Sequence, residues 1–171
     1  MYLFDVLVGC VKSVYQFSRE RVPLRVKVLA TILYYSGLSL RDVESVIGYS
    51  RESVRKWFRI IGSILPKPEL RERKLIAVDE TKVKLCGRVI YVWAARDLES
   101  GEIVAVRATL RKRSQDALLV IKDALAVPTN RPHFIIDKGP WYSEIPKKLG
   151  LSFEEKSRGP RNMIESWFRK A

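Results

Sequence analysis

Cysteine and histidine are scarce in this chain of 171 residues, which contains two cysteines, Cys10 and Cys86, and a single histidine, His133. Zinc sites are built mainly from these two residue types at short, fixed spacings. The two cysteines are too far apart for a CxxC motif and too few for a disulfide scaffold. The composition therefore argues against a zinc finger, a zinc hydrolase and a disulfide-rich fold.

No secretory signal and no membrane-spanning run are evident in the sequence. The first residues include Asp5 and lack the basic segment with which secretory signals begin. The longest apolar runs are far shorter than the roughly 20 residues that cross a bilayer. We therefore expect a cytoplasmic protein of a prokaryote, associated with the nucleoid.

Negative charge is in short supply, because 32 lysines and arginines oppose 19 aspartates and glutamates, giving a net charge of +13. The excess is present in both halves of the chain, so it is not confined to a basic tail. Such an excess favours a polyanion as partner, most often nucleic acid. The 47% of hydrophobic residues is sufficient for a folded core.

The N-terminal part has helical periodicity, and we predict helices over 2–17, 23–36, 40–47 and 51–64. Ser39 and Asp42 form a pattern like a capping box, Gly48 can end the third helix and Ser50 can cap the fourth. Two helices joined by a short turn are typical of a helix-turn-helix. The fourth helix would then contact DNA through Arg51, Ser53, Arg55, Lys56 and Arg59. The alternative is a solvated charged face on an ordinary helical hairpin.

The periodicity changes after a charged linker at 66–73. Val, Ile and Tyr are frequent over 74–84, 88–96 and 102–110, which predicts a three-stranded antiparallel meander. The sequence then predicts a helix over 114–126, a strand over 133–137, a helix over 141–149, a strand over 151–155 and a helix over 161–171. This order is the one expected of an α/β, ribonuclease-H-like mixed sheet with flanking helices. We predict two domains, an all-α helix-turn-helix region at 1–66 and a catalytic domain at 74–171.

Three acidic residues stand where chemistry is expected. Asp79 ends the apolar run 75–78, Asp137 ends the run 134–136, and Glu165 lies at the start of the last predicted helix. An acid at the end of a buried strand is costly unless it is paired or binds a metal. Strands of one sheet would bring the two aspartates to one edge, and all-oxygen ligands suit Mg²⁺ or Mn²⁺. The alternative is that these acids cap turns or pair with the many cations.

Three motifs together resemble the DDE transposases of bacterial and archaeal insertion sequences. They are Val78-Asp79-Glu80-Thr81, the segment from Ile135 to Tyr142 around Asp137, and the segment from Asn162 to Arg169 around Glu165. The resemblance, which covers roughly residues 20–171, implies a ribonuclease-H-like catalytic domain and Asp79, Asp137 and Glu165 as the catalytic triad. It also implies two divalent ions, Mg²⁺ or Mn²⁺, double-stranded DNA of element ends and target as partner, and a homodimer or larger assembly on DNA.

Basic residues accompany these motifs. Lys138 follows Asp137, and the loop that precedes Glu165 is rich in lysine and arginine. We expect phosphate contacts beside the active site from Lys138, Lys156, Arg158 and Arg161. The alternative for this segment is an ordinary solvated loop.

The sequence departs from this family in two places: Asp137 and Glu165 are only 28 positions apart, and the sequence stops six residues after Glu165. The alternative function is therefore a catalytically impaired, truncated transposase that acts as a DNA-binding repressor or remnant. A metal-dependent nuclease of the same fold is a further possibility. Joined as opposed to merely cut DNA products separate the nuclease from the transposase.

Other conspicuous residues have structural interpretations. Asp97 lies in the turn of the meander and is expected to stabilise that turn. Trp57 and Trp93 are expected in the core. Glu80 follows Asp79 directly, so it should point to the opposite face of the strand.

Overall fold

The computed structural model describes residues 3–17, 21–64, 67–85, 87–142 and 144–156. Four helices come first: α1 (Leu3–Val14), α2 (Leu24–Tyr35), α3 (Leu40–Ile47) and α4 (Arg51–Ile64). Their bounds agree closely with those predicted from the sequence. None of the helices within the described ranges is long and apolar enough to cross a membrane.

The ends of α3 and α4 follow from local chemistry. The Ser39 hydroxyl accepts a hydrogen bond from the Asp42 N–H, and the Asp42 carboxylate accepts one from the Ser39 N–H, which completes the capping box. Gly48 ends α3 with a φ of 75°, a left-handed conformation that suits glycine. The Ser50 hydroxyl then accepts the Ser53 N–H at the start of α4. Local hydrogen bonds and the conformation of Gly48 therefore set both ends of α3 and the start of α4.

The second part of the chain forms a five-stranded mixed sheet with flanking helices. Its elements are β1 (Leu75–Leu85), β2 (Arg88–Asp97), β3 (Ile103–Thr109), α5 (Ser114–Leu125), β4 (His133–Asp137), α6 (Ile145–Lys148) and β5 (Phe153–Lys156). The strand order is β3-β2-β1-β4-β5. The β1–β2 and β2–β3 pairs are antiparallel, while β1–β4 and β4–β5 are parallel. This mixed α/β topology is compatible with the ribonuclease-H-like core predicted from the sequence.

Two predicted helices differ from what the structure has. Only Ile145–Lys148 of the predicted helix 141–149 is helical. Proline lacks an N–H and clashes with the carbonyl four residues earlier, so Pro146 fits only the first turn of a helix and this one begins late. The sequence predicts Ser114 as the N-cap of the helix that ends near residue 126, but the N-cap of α5 is Arg113, whose N–H donates to the Asp116 carboxylate. The predicted helix 161–171 lies outside the described residues.

The two faces of the sheet contact different parts of the chain. Ile76 and Val78 of β1 pack in one cluster with Val120 and Ile121 of α5. Val83, at an odd-numbered position further along β1, lies on the opposite face and packs against the cluster formed by the N-terminal helices. Alternation along β1 thus sets which side chains face α5 and which face the opposite side.

The N-terminal helices share a hydrophobic core with the sheet. Ile90, Val92 and Ala108 from β2 and β3 belong to the same buried cluster as Ile32 of α2 and Ile61 of α4. Trp57 of α4 is buried in this cluster, and Trp93 is fully buried in the other one, as the sequence predicts. The division into domains at 1–66 and 74–171 remains a prediction, and the helical part depends on the sheet to bury its apolar side chains.

The turn between β2 and β3 contains a buried ionic network centred on Asp97. Its carboxylate accepts hydrogen bonds from the Glu99 N–H at 3.0 Å and the Ser100 hydroxyl at 2.9 Å. The fully buried Arg73 guanidinium binds Asp97 at 2.7 Å and Glu102 at 2.7 Å. Burial alone would raise the pKa of Asp97, but these hydrogen bonds and the positive charge of Arg73 lower it below its ordinary value. The prediction that Asp97 stabilises the turn is confirmed.

Candidate active site

The register of the sheet brings Asp79 and Asp137 together. In the parallel β1–β4 pair, Val78 lies opposite Ile136. One residue further along each strand, the same register places Asp79 beside Asp137. Neighbouring strands lie about 4.8 Å apart, so the two carboxylates come from adjacent backbone positions. Two residues that are 58 positions apart in the sequence thus form one acidic site.

Both aspartates lie on the same face of the sheet. Ala77 and Ile135, which precede them by two residues, pack together in a small cluster with Leu98. Because side chains alternate along a strand, Asp79 and Asp137 belong to that face and not to the face that packs on α5. The sequence predicts Glu165 as a third acid of this site, and Glu165 lies outside the described residues.

The backbone orients each carboxylate. One oxygen of Asp79 accepts the N–H of Glu80 at 2.8 Å, and one oxygen of Asp137 accepts the N–H of Lys138 at 2.8 Å. Asp79 is half-buried and Asp137 is exposed. The site is therefore anchored from the sheet and open to solvent at Asp137.

The chemistry of the pair suits a hard divalent cation. Two adjacent carboxylates repel one another, and a cation between them offsets that repulsion. Carboxylate oxygens are preferred ligands of Mg²⁺ and Mn²⁺. Within the described ranges, no group of three or more His, Cys, Asp or Glu side chains is arranged to hold a metal. The aspartate pair accordingly fits part of such a site, to which substrate oxygens and a further ligand would be added.

Of the other residues predicted at this site, only some lie within the described part of the chain. Glu165, Arg158 and Arg161 lie outside the described residues, as does the side chain of Lys156. The backbone of Lys156 lies in β5 opposite Asp137. Lys138 is exposed directly after Asp137, and its N–H already binds that carboxylate. The structure thus brings together Asp79, Asp137 and Lys138.

Sequence analysis missed a second group of polar residues on the opposite face. Glu80, as predicted, points away from Asp79, and its carboxylate accepts a hydrogen bond from the Tyr142 hydroxyl at 3.1 Å. The ammonium of Lys112 forms an ion pair with the same carboxylate and lies 3.4 Å from the centre of the Trp141 ring. This network connects the strand that carries Asp79 to the loop that follows Asp137.

The Tyr142 hydroxyl is buried among the negative charges of this region. Burial raises the pKa of its hydroxyl well above the ordinary value, and the negative charges of Glu80, Asp79 and Asp137 raise it further. The hydroxyl therefore remains protonated and continues to donate to Glu80. The signal in the sequence was the tyrosine five residues after Asp137, although nothing local indicated its partner.

The loop after Asp137 is shaped by close packing. A Cβ added at Gly139 would lie 2.4 Å from the Trp141 ring, so only glycine fits there without a shift of the indole. The Gly139 N–H donates to the Asp137 carbonyl, and the Tyr142 N–H donates to the Gly139 carbonyl. Trp141 and Tyr142 are thereby folded back toward Glu80.

The predicted DNA-contacting residues of α4 lie on one helix, apart from the aspartate pair. Arg51 forms an ion pair with Glu44 at 3.2 Å, and Arg55 forms one with Glu52 at 2.7 Å. Other exposed cations of this helix are Lys56 and Arg59. Ser53 is half-buried, and its N–H takes part in the cap of α4.

Comparison with other sequences identifies relatives. No protein-family model matches the chain. An uncharacterized protein of Methanocaldococcus jannaschii, MJ0017, is 41% identical over 156 residues, which cover 89% of this chain and 73% of that protein. The uncharacterized protein aq_aa24 of Aquifex aeolicus is 31% identical over 78 residues, covering 46% of this chain and 60% of that protein.

Solved structures with a similar arrangement include retroviral integrases. A simian T-cell lymphotropic virus intasome in complex with the PP2A regulatory subunit B56 gamma is 16% identical, with a TM-score of 0.45, over 77% of this chain and 57% of that chain. The HTLV-2 integrase catalytic core domain in complex with magnesium, in its dimeric form, is 16% identical, with a TM-score of 0.42, over 60% of this chain and 73% of that chain. At this degree of likeness the activity has to be argued from the chain's own residues.

Proposed function

This chain belongs to the same family as the Methanocaldococcus jannaschii protein MJ0017, and we propose that it is an insertion-sequence transposase that cuts and joins DNA. The observation that carries the proposal is the placement of Asp79 beside Asp137 by the β1–β4 register. An acidic pair on the surface of a protein with a net charge of +13 is suited to holding cations against a phosphate backbone. The three motifs that resemble DDE transposases support the same activity.

Asp79 and Asp137 are the proposed ligands of Mg²⁺ or Mn²⁺, and Glu165 is the proposed third ligand. Two such ions, when bound, activate the attacking oxygen and stabilise the leaving oxygen of a phosphoryl transfer. The chain's own contribution is orientation. The N–H groups of Glu80 and Lys138 each bind one oxygen of the aspartate that precedes them.

The N-terminal helices are proposed to bind the element ends. In this proposal α3, the turn and α4 act as a helix-turn-helix, and α4 contacts DNA. The exposed cations of α4 support the assignment, because cations contact phosphates and the N-terminal part of a recognition helix meets base edges.

The test is a cleavage and strand-transfer assay on the DNA ends of the chain's own element with Mg²⁺ or Mn²⁺. We expect Asp79→Asn and Asp137→Asn each to abolish cleavage while DNA binding remains. Glu99→Gln is the matched control, since it also converts an exposed carboxylate to an amide, and it should cleave normally. Full activity in Asp137→Asn would refute the site. Binding without cleavage by the unmodified chain would support the alternative of a DNA-binding repressor.

A further inference from the structure

Many cations of this protein are paired with acids. Within the described ranges, Arg73 pairs with Asp97, Arg107 pairs with Asp123, and Lys112 pairs with Glu80. Among the exposed cations that form no salt bridge within the described part of the chain, Lys82 and Lys84 lie on β1, and Arg111 and Arg113 lie in the loop after β3. The hairpin and this loop therefore contribute part of the positive charge of the sheet region.

Lys82 and Lys84 share one face of the β1–β2 hairpin. They are separated by one residue, so both point to the same side, about 7 Å apart along the strand. The register places Tyr91 opposite Lys82 and Val89 opposite Lys84. The hairpin thus presents two lysines beside a half-buried aromatic ring and an exposed valine.

The loop after β3 adds two exposed arginines next to this hairpin. Thr109, the last residue of β3, lies opposite Tyr91, and its hydroxyl donates to the Arg111 carbonyl at 2.7 Å. Lys112, in the loop after β3, forms an ion pair with Glu80 on β1. Glu80 and Lys82 are two residues apart on this strand, so their side chains lie on the same face. Arg111 and Arg113 flank this lysine. Since Lys112 neutralises Glu80, the surface formed by Lys82, Lys84, Arg111 and Arg113 retains its positive charge.

We propose that this surface, which we term the basic hairpin face, binds the backbone phosphates of double-stranded DNA. The inference deepens the proposed function, on which it rests, by adding a second DNA-binding surface distinct from α4. Lys82 is three residues from Asp79 on the same strand, about 10 Å along it. Because side chains alternate along β1, Lys82 and Lys84 lie on the face opposite to Asp79, so a duplex bound there would run along the other face of the sheet from the aspartate pair.

Duplex DNA fits this face better than an anionic membrane does. A membrane-binding surface needs a continuous apolar face to insert beneath the headgroups. The exposed apolar side chains here are limited, within the described residues of this face, to Val89 and Leu110, which are 38% and 39% exposed. Exposed lysines and arginines on a strand and an adjoining loop suit phosphate contacts, which need no apolar insertion.

The experiment measures binding of the full chain to a labelled DNA duplex of random sequence by fluorescence anisotropy over a range of salt concentrations. Each phosphate contact contributes about 0.9 to the slope of log affinity against log salt concentration. The double variant Lys82→Gln/Lys84→Gln should therefore reduce that slope by about 1.8. The double variant Lys122→Gln/Lys148→Gln removes the same charge from exposed lysines of α5 and α6, and its slope should be unchanged.

Circular dichroism of each variant establishes that the fold is retained, which surface substitutions permit. An unchanged slope in Lys82→Gln/Lys84→Gln, or an equal loss in the control variant, would overturn the proposal. Binding to anionic vesicles but not to duplex would overturn it as well. This result can be separated from the test of the proposed function. A chain that binds duplex through these lysines but never cleaves it refutes the transposase activity alone. Metal-dependent cleavage with an unchanged salt slope in the lysine variant refutes the hairpin surface alone.

Discussion

Asp79 and Glu80 are neighbours in the chain, yet their carboxylates have different surroundings. Alternation along β1 directs them to opposite faces of the sheet. Glu80 has a lysine and a tyrosine hydroxyl as partners, which is what a buried carboxylate requires. Asp79 stands beside Asp137, where two like charges favour a cation. A shift of one residue along a strand thus separates a structural acid from a candidate metal ligand.

The hydroxyl of Tyr142 tests the link between these two faces. Hydrogen bonds to charged groups contribute about 1.5–3 kcal/mol, so Tyr142→Phe should lower the free energy of unfolding by about 2 kcal/mol. Because its loop starts directly after Asp137, the affinity for Mn²⁺ should also fall. Denaturant unfolding and calorimetric titration with Mn²⁺ measure the two effects. Tyr35→Phe, at a residue that is 66% exposed, should change neither; an unaltered Mn²⁺ affinity in Tyr142→Phe would contradict the link.

Asp97 provides a prediction about pH. Because its pKa is lowered in the folded state, its carboxylate stabilises the protein at neutral pH, and this contribution is lost as the pH falls below about 4. Removing one partner of a buried ion pair costs about 3–5 kcal/mol. Asp97→Asn should cost about 3 kcal/mol at pH 7, since Arg73 keeps Glu102 as a partner. The cost should shrink in acid, which unfolding curves at pH 7 and pH 3 measure. A cost that is equal at both values would show that the carboxylate charge is not what stabilises the turn.

Among the elements, α3 and α4 have ends that are locally determined. The capping box of Ser39 and Asp42 and the left-handed Gly48 set the bounds of α3 without help from the rest of the molecule. The burial of α4 is different, because Val54, Trp57 and Ile61 lie in the core shared with the sheet. The helix is therefore held against the sheet with its charged side turned outward.

This outward side of α4 is the basis of a prediction about DNA binding. Arg55→Ala and Lys56→Ala should each weaken binding of the full chain to duplex DNA and reduce the salt slope by about 1. The ion pair of Arg55 with Glu52 is exposed and i,i+3, so it contributes little that would mask the effect. Lys12→Ala, which removes one exposed charge from α1, is the control. Equal slopes for all three variants would mean that α4 has no special role.

At the scale of the whole molecule, the helices and the sheet are one packing unit. Ile90 is fully buried in the cluster that also contains α2 and α4 side chains. An isolated fragment of residues 1–66 would expose that apolar surface. The full chain is therefore the form in which DNA binding is to be measured, although the sequence predicts a separate helical region.

Ile90→Ala tests this cohesion. Large-to-small substitutions of a buried isoleucine cost about 2–5 kcal/mol, and we expect about 3 kcal/mol here. The helical signal in circular dichroism and the fluorescence of the tryptophans, which include Trp57 and Trp93, should still change in a single transition. Val89→Ala, at an exposed position on the same hairpin, should cost far less. Two separate transitions would show that the helices unfold independently of the sheet.

The sequence by itself determined the elements and the order of the candidate residues. The β-branched and aromatic residues of 75–97 and the turn at Gly101 specify strands, and Ser39 and Gly48 specify helix ends, because these preferences are local. The positions of Asp79 and Asp137 at the ends of apolar runs were visible for the same reason. Glu165 and the last predicted helix lie outside the described residues, so their place in the site remains a prediction.

The tertiary structure decided which residues meet. The position of Asp79 beside Asp137 depends on the parallel register of β1 and β4. Packing between segments far apart in the chain sets this register. Lys112 and Glu80 come from separate parts of the sheet, and nothing in the local sequence indicates that they pair. In the sequence, Lys112 is only one of three adjacent cations. The core that joins α2 and α4 to the sheet was likewise unpredictable, because an apolar stripe on a helix indicates burial but not the surface against which it is buried.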